Sequence, residues 1–327
     1  MVETDVHYPT DTNLLWDALR KLIREVGRGC EKHGIAGWRQ YRLNCRQVKR
    51  LFRHSQKIRY STSKDEVKRA EKNQQFRTTY SAYLDAARSY VVKAKQTLPR
   101  IESQGDIVSG LLITGWIEDA ERQIDQIERR VLQGEVIPHE EKVFSIFERH
   151  TEWISKGKAG VPVELGVRVC VLEDQYQFIL QHQVMWHETD DKVAVLMVEQ
   201  ARQRYPELKQ CSFDKGFYSP ANQQLLANIL EYVTLPKKGR WSAADKVRES
   251  SDTFRKARIQ HPAIESCINN LEQRGLDRCR SHGRDGFERY VALSVVACNL
   301  HRVGLVLQRR ERAKLERALR KRKKLAA

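Results

Sequence analysis

Between residues 70 and 133 apolar positions recur at spacings of four and three. Phe76, Tyr80, Tyr83, Ala87, Tyr90, Ala94 and Leu98 form one stripe; after a break at Pro99, Gly105 and Gly110, a second runs through Ile113, Ile117, Ala120, Ile124, Ile127 and Val131. This spacing places one seam on each of two helices and predicts an antiparallel hairpin packed as a coiled coil. The aromatic stripe then belongs to the core and is not a stacking platform for bases. Upstream, residues 2–8 alternate like a strand. Pro9-Thr10-Asp11 introduces a helix on Leu15, Leu19, Leu22 and Val26, with Asp11 as its cap, and Gly27, Gly29, Gly34 and Gly37 mark a loop. A second helix, 40–59, surrounds a thin stripe of Leu43, Leu51 and Phe52 with arginines and lysines. That basic face is either simply solvated or a contact for phosphates.

The pattern changes near Pro138. Residues 163–172 and 177–184 read as a strand hairpin, and Thr189 then caps a helix that Pro206 stops. A strand over 208–213 ends at Asp214, a helix runs from Pro220 to Glu231, and 232–235 form a last strand. A long helix follows Ser251, kinked at Pro262, and another follows Gly286, losing its apolar face near Leu307. Strands alternating with helices predict an α/β fold with a mixed sheet. The expected domains are a first strand within 1–11, a helical region over 12–135, an α/β core over 136–300 and a basic helical tail over 301–327.

Candidate chemistry centres on Cys211-Ser-Phe-Asp-Lys-Gly-Phe-Tyr-Ser-Pro220. Asp214 closes a strand just before turn residues, and Ser219-Pro220 starts a helix. A strand-end carboxylate of this kind lies where α/β proteins bind ligands and metals. It is equally a place where Asp hydrogen-bonds its own backbone for structural reasons. Glu265 lies between Ile264 and Ile268 of an apolar stripe, where a carboxylate is costly unless paired or metal-bound. An ordinary ion pair with Arg258 or His261 would also account for it.

Composition narrows the partners. The 327 residues carry 59 Lys and Arg against 42 Asp and Glu, a formal +17, which favours a polyanion such as nucleic acid. The longest nearly unbroken apolar run, 290–300, is about half of the ~20 residues a membrane-spanning helix needs. Glu3 and Asp5 stand where a secretory signal would be basic and then apolar, so a cytoplasmic protein without a membrane partner is expected. Seven scattered cysteines with no CxxC pair point to reduced thiols, and the histidines show no zinc-site spacing.

Five segments in order resemble a bacterial insertion-sequence transposase of the DDE class. They are Val2-Glu-Thr-Asp-Val-His-Tyr-Pro-Thr-Asp11 with Leu14-Leu-Trp-Asp17; Ser145-Ile-Phe-Glu-Arg-His-Thr-Glu-Trp-Ile154 with Lys156-Gly-Lys158; Phe213-Asp-Lys-Gly-Phe217; Leu235-Pro-Lys-Lys-Gly239; and His261-Pro-Ala-Ile-Glu-Ser266 with Arg274-Gly-Leu-Asp-Arg-Cys279. The resemblance implies an RNase H-like mixed sheet flanked by helices, with the coiled-coil hairpin as an insertion. It implies that Asp214 and Glu265 are the second aspartate and the glutamate of a triad holding Mg²⁺ (or Mn²⁺), and that the protein cleaves and joins DNA strands. Lys215, Lys237, Lys238 and Arg258 are the expected DNA contacts. The implied partners are double-stranded DNA, as element ends and target, and further copies of the chain on that DNA, in the bacterial cytoplasm at the nucleoid.

Two departures accompany the resemblance. The first aspartate of the pattern falls just before Met1, so this chain is expected to lack it, with Asp5 the only nearby stand-in. Glu272 occupies a position where relatives place a basic residue. Two other readings stand beside strand transfer: an RNase H-like nuclease that cuts without joining, and a DNA-binding or regulatory remnant without chemistry.

Overall fold

The structure is a computed structural model that describes residues 1–155 and 163–325, so the Lys156-Gly-Lys158 segment lies outside the described residues. The chain separates into two compact units: one of Val6–Arg149, the other of Met1–Asp5 together with His150–Ala327. Residues 136–149, expected in the second unit, cluster with the first.

The first unit is helical: α1 (Asp11–His33), α2 (Tyr41–Lys57), α3 (Glu66–Glu102) and α4 (Ile107–Ile127), the last followed by a π-helical segment, Glu128–Gln133. The predicted stripes are buried, including Phe76, Tyr83, Ala87 and Ala94 of α3 and Ile113, Ile117, Ala120 and Ile127 of α4. They do not close on each other alone. Leu15, Leu19, Leu22 and Val26 of α1 and Val48 and Phe52 of α2 belong to the same core, so the hairpin is half of a four-helix packing. Pro99 does not break α3. It sits in the last turn, and the chain reverses only after Ser103, where Gly105 has φ 77°. The α1 cap is Thr10, whose Oγ1 accepts from the Asn13 amide at 3.2 Å. Asp11 instead pairs with Arg130 at 2.7 Å.

Gly27 and Gly29 lie inside α1 and not in a loop. A Cβ on Gly27 would stand 2.2 Å from Cγ of Tyr41, so α1 and α2 approach at a point that only a missing side chain permits. This is where periodicity misled. A glycine needed for close packing has the same letter as one needed for a turn.

The second unit is α/β with a curled mixed sheet. Strands β1 (Val2–Thr4), β2 (Glu152–Ser155), β3 (Val163–Glu173), β4 (Ile179–Met185) and β7 (Arg278–Cys279) form one sheet. Its centre is β3, antiparallel to β1 with Val2 opposite Val167, to β2 with Trp153 opposite Leu165, and to β4 with Val169 opposite Val184. The other edge of β1 takes β7 in parallel. Strands β5 (Gln210–Ser212) and β6 (Tyr232–Thr234) form a separate parallel pair, where one continuous sheet was expected. Helices α5 (Asp190–Arg204) and α6 (Pro220–Ile229) cover that pair through Ala194, Val198, Phe213, Leu226, Leu230 and Leu235.

After β6 come α7 (Ala243–Ser250), α8 (Asp252–Gln260) and α9 (Ala263–Leu271), with the predicted kink at Pro262, and then α10 (Gly283–Leu325). Cys267 and Leu271 of α9 and Phe287, Val291 and Val295 of α10 pack against Val2, Val167 and Ile179 of the larger sheet. Helix α10 contains an 18-residue window of mean hydropathy 1.6, long and apolar enough by length and composition to cross a membrane. The run 290–300 alone understated it.

The packing makes two stability predictions. Gly27→Ala should lower unfolding stability by about 1–3 kcal/mol, because the tyrosine ring must be displaced from a filled core. Gly115→Ala, at a helical position with nothing within 4 Å of its Cβ, should raise stability by roughly 0.5–1 kcal/mol. Urea unfolding of the two variants separates the cases.

Candidate functional site

The site begins at the end of β5. The Phe213 amide still donates to the Thr234 carbonyl at 2.9 Å, and the chain then leaves the strand pair at Asp214, whose backbone is extended (φ −70°, ψ 158°). The Asp214 carbonyl closes the short 3₁₀ turn Lys215–Phe217 by accepting from the Phe217 amide. Its carboxylate makes no capping bond to that turn. The structural role open to an aspartate here, bonding its own backbone, is therefore not the one adopted. The side chain is 69 % exposed and bonds instead to a residue far along the chain.

That residue is His261, at the end of α8. Its Nε2 lies 3.1 Å from Asp214 Oδ1, and its Nδ1 lies 2.8 Å from Ser212 Oγ. A carboxylate only accepts, so Nε2 carries the proton donated to Asp214. In the neutral ring Nδ1 then accepts from the Ser212 hydroxyl. The imidazole is largely buried while the carboxylate it holds faces solvent. Beside it, Arg258 donates through a terminal guanidinium nitrogen to the Phe213 carbonyl at 3.5 Å. Arg258 from the last turn of α8 and His261 just past its end thus fasten to consecutive residues, 213 and 214, at the strand end.

Glu265 follows on α9, four residues past His261. The chain stays close to helical through the kink: the Ile264 and Glu265 amides bond back to the carbonyls of His261 and Pro262. Cys267 and Leu271 bury the opposite face, and the Glu265 side chain is exposed. Glu265 forms no ion pair with Arg258 or His261; those side chains bond instead to Phe213 and Asp214. Asp214, held by His261, and Glu265, four residues beyond that histidine on α9, both face solvent.

The remaining predicted residues differ in standing. Lys215 and Lys238 are exposed beside Asp214 and in the loop after β6. Lys237 is committed elsewhere. Its Nζ lies 2.5 Å from Asp245 Oδ2, and its backbone amide donates to Glu249 Oε1 at 2.7 Å. Asp245 also accepts from the Ser242 amide and hydroxyl, in a capping box at the start of α7. Hydrogen bonding to the Lys237 ammonium, then to Ser242, holds the Asp245 carboxyl well below its ordinary range, and the same contact raises the Lys237 ammonium. On and just after β1 of the larger sheet, Glu3 and Asp5 both lie near the Arg278 guanidinium, at 3.1 and 3.7 Å.

One acidic residue near the site escaped the sequence reading. A Cβ on Gly216 would stand 2.5 Å from Oδ2 of Asp190, so the Asp190 carboxylate comes directly against the turn that follows Asp214. Asp190 opens α5 and reads as an ordinary acidic first-turn residue, so only the need for glycine at 216 pointed to a close neighbour. Among the described residues no three His, Cys, Asp or Glu side chains gather closely enough to hold a metal ion. The donor types still suit a hard divalent cation: exposed carboxylate oxygens, which for Mg²⁺ need number only one or two beside water and phosphate. Cys170, Cys211 and Cys267 offer no thiolate, because burial pushes their thiols up to about 12.

No family model matches the chain, and neither a curated protein nor a solved structure matches it.

The Lys237–Asp245 pair gives a pH-dependent prediction. Asp245 has a folded pKa below its unfolded value near 3.8, so the pair's contribution is complete above that pH and is lost as pH falls through the folded value. Lys237→Met should therefore lower the thermal midpoint at pH 7, and the gap from the parent should narrow below about pH 4. Paired melting curves across pH 3–7 measure this.

Proposed function

We propose that this chain is a DDE-class polynucleotidyl-transfer protein of an insertion sequence, with an RNase H-like core that positions Asp214 and Glu265 to hold Mg²⁺ or Mn²⁺. A bound divalent pair would supply activation of a water or 3′-hydroxyl and stabilisation of the leaving oxygen. The chain's own residues do the arranging. His261 donates to one oxygen of Asp214 and leaves the other free, while the Ser212 hydroxyl fixes the tautomer that makes this possible. Arg258 anchors the strand end. Lys215 and Lys238 are exposed cations suited to the DNA backbone, whereas Lys237 is neutralised by Asp245 and is withdrawn from that role.

The observation that supports the reading is the exposed strand-end Asp214, held by His261 from the segment that leads, four residues on, to the exposed Glu265 of α9. The +17 charge supports a DNA partner, met as element ends and target in the bacterial cytoplasm. A second reading, a DNA-binding or regulatory protein without chemistry, draws on Asp5, which sits beside the Arg278 guanidinium at 3.7 Å and is thus offset by a cation of the chain itself.

The test is a Mg²⁺-dependent strand-cleavage assay of this chain on the element's terminal repeats. The chain should cleave and join those ends, and Asp214→Asn or Glu265→Gln should lower the rate by about 100-fold or more without loss of DNA binding. Cleavage of unrelated DNA without joining would favour the nuclease reading. Binding with no cleavage would leave the regulatory one.

A further inference from the structure

Helix α10 has two unlike faces. One is fastened to the larger sheet: Phe287, Val291, Val295 and Cys298 are buried, and Asn299 exchanges two 2.9 Å hydrogen bonds with the backbone of Ile179. Arg302 donates to the Tyr176 carbonyl at 2.7 Å. The other face carries Leu293, Val296, Leu300, Val303 and Leu307, at spacings of three, four, three and four, and these are 43–68 % exposed. Ala297 and Gly304 lie along the same face, so a partner backbone could approach closely. Scattered exposed leucines need no explanation, but five large apolar side chains in heptad register over four turns do.

We infer that this face is the seam by which two copies of the chain pair, α10 against α10, in antiparallel orientation. The 3-4 spacing is what another helix requires and what a bilayer does not. A lipid-embedded helix would also have to free its second face from the hydrogen bonds to Tyr176 and Ile179. The area is sufficient. The exposed parts of these side chains amount to roughly 500 Å² per helix, so two copies bury on the order of 1,000 Å², the size at which specific interfaces begin. Orientation follows from charge. Residues 309–324 hold ten Arg and Lys against Glu311 and Glu316, a net +8. A parallel pair would run two such tails side by side, whereas an antiparallel pair sends them to opposite ends. The pairing goes beyond the cleavage reading and does not depend on it. It also leaves two separated basic arms for a polyanion.

Sedimentation equilibrium of the full chain without DNA or metal tests the pairing. The parent should be dimeric, and Leu300→Glu, on an exposed position with an unchanged circular dichroism spectrum, should weaken the dimer by about 100-fold. Under mild oxidation Leu300→Cys, at the centre of the seam, should give an intermolecular disulfide absent from the parent, and Leu319→Cys should not. Cross-linking through position 319 would overturn the orientation. A parent chain that stays monomeric at high concentration would overturn the pairing, whether it ignores vesicles of anionic phospholipid or binds them, the latter making the face a membrane contact. Loss of the dimer in Leu300→Glu has no bearing on Asp214, so this result and the cleavage result fail separately.

Discussion

One imidazole holds the candidate site together. His261 reaches 2.8 Å to Ser212 on the strand and 3.1 Å to Asp214 just beyond it. Both partners lie more than forty residues away in sequence, Ser212 in the small β5–β6 pair and Asp214 just past its end. Helix α9, which begins two residues after His261 and carries Glu265, packs on the larger sheet through Cys267 and Leu271. The histidine and its neighbour Arg258 are therefore polar ties between the strand end and the segment that leads into α9. A buried ring donating to a solvent-facing carboxylate limits the rotamers of that carboxylate. Limited freedom is what a group needs if it is to act at a defined position.

The place of Asp214 at a strand end was legible, because strand, acid and turn chemistry follow one another within ten positions. Glu265 was expected among the apolar stripe of Ile264 and Ile268, but the buried residues of α9 are Cys267 and Leu271, and Glu265 lies exposed on another face. The helical stripes of α3 and α4 were buried as periodicity required. What periodicity lacks is the identity of the other surface. It described a two-helix seam where α1 and α2 complete the core, and a turn at Gly27 where two helices touch. Strands β2 and β7 are four and two residues long and exist through their pairing with β3 and β1, so local pattern carried little trace of them. The role of His261 was equally hidden, since its partners are set by tertiary contact alone. Lys237 was expected at DNA through the resemblance of its segment, and its pairing with Asp245 is set by a tertiary contact that the segment does not reveal.

Charge on this chain is not one undivided field. Some cations are spent locally, as Lys237 is on Asp245 and Arg129 is on Asp125, Glu135 and Glu141. Surface pairs of this kind add little stability, but they lower the charge available to a polyanion. The excess that remains is concentrated where acids are scarce, in α2 and in the end of α10. A polyanion would meet these stretches first, and the exposed carboxylates at 214 and 265 would repel it unless their charge is offset. Under the proposed function, a divalent cation at those carboxylates would offset that charge.

The central claim is that Asp214 and Glu265 act together on one cation. Titration of the full chain with Mn²⁺, followed by the loss of the free-ion paramagnetic resonance signal, tests it without any DNA substrate. The account predicts saturable binding that weakens about tenfold or more in both Asp214→Ala and Glu265→Ala, with no further loss when the two changes are combined. Binding that is unchanged in either variant, or losses that simply add, would contradict a shared site.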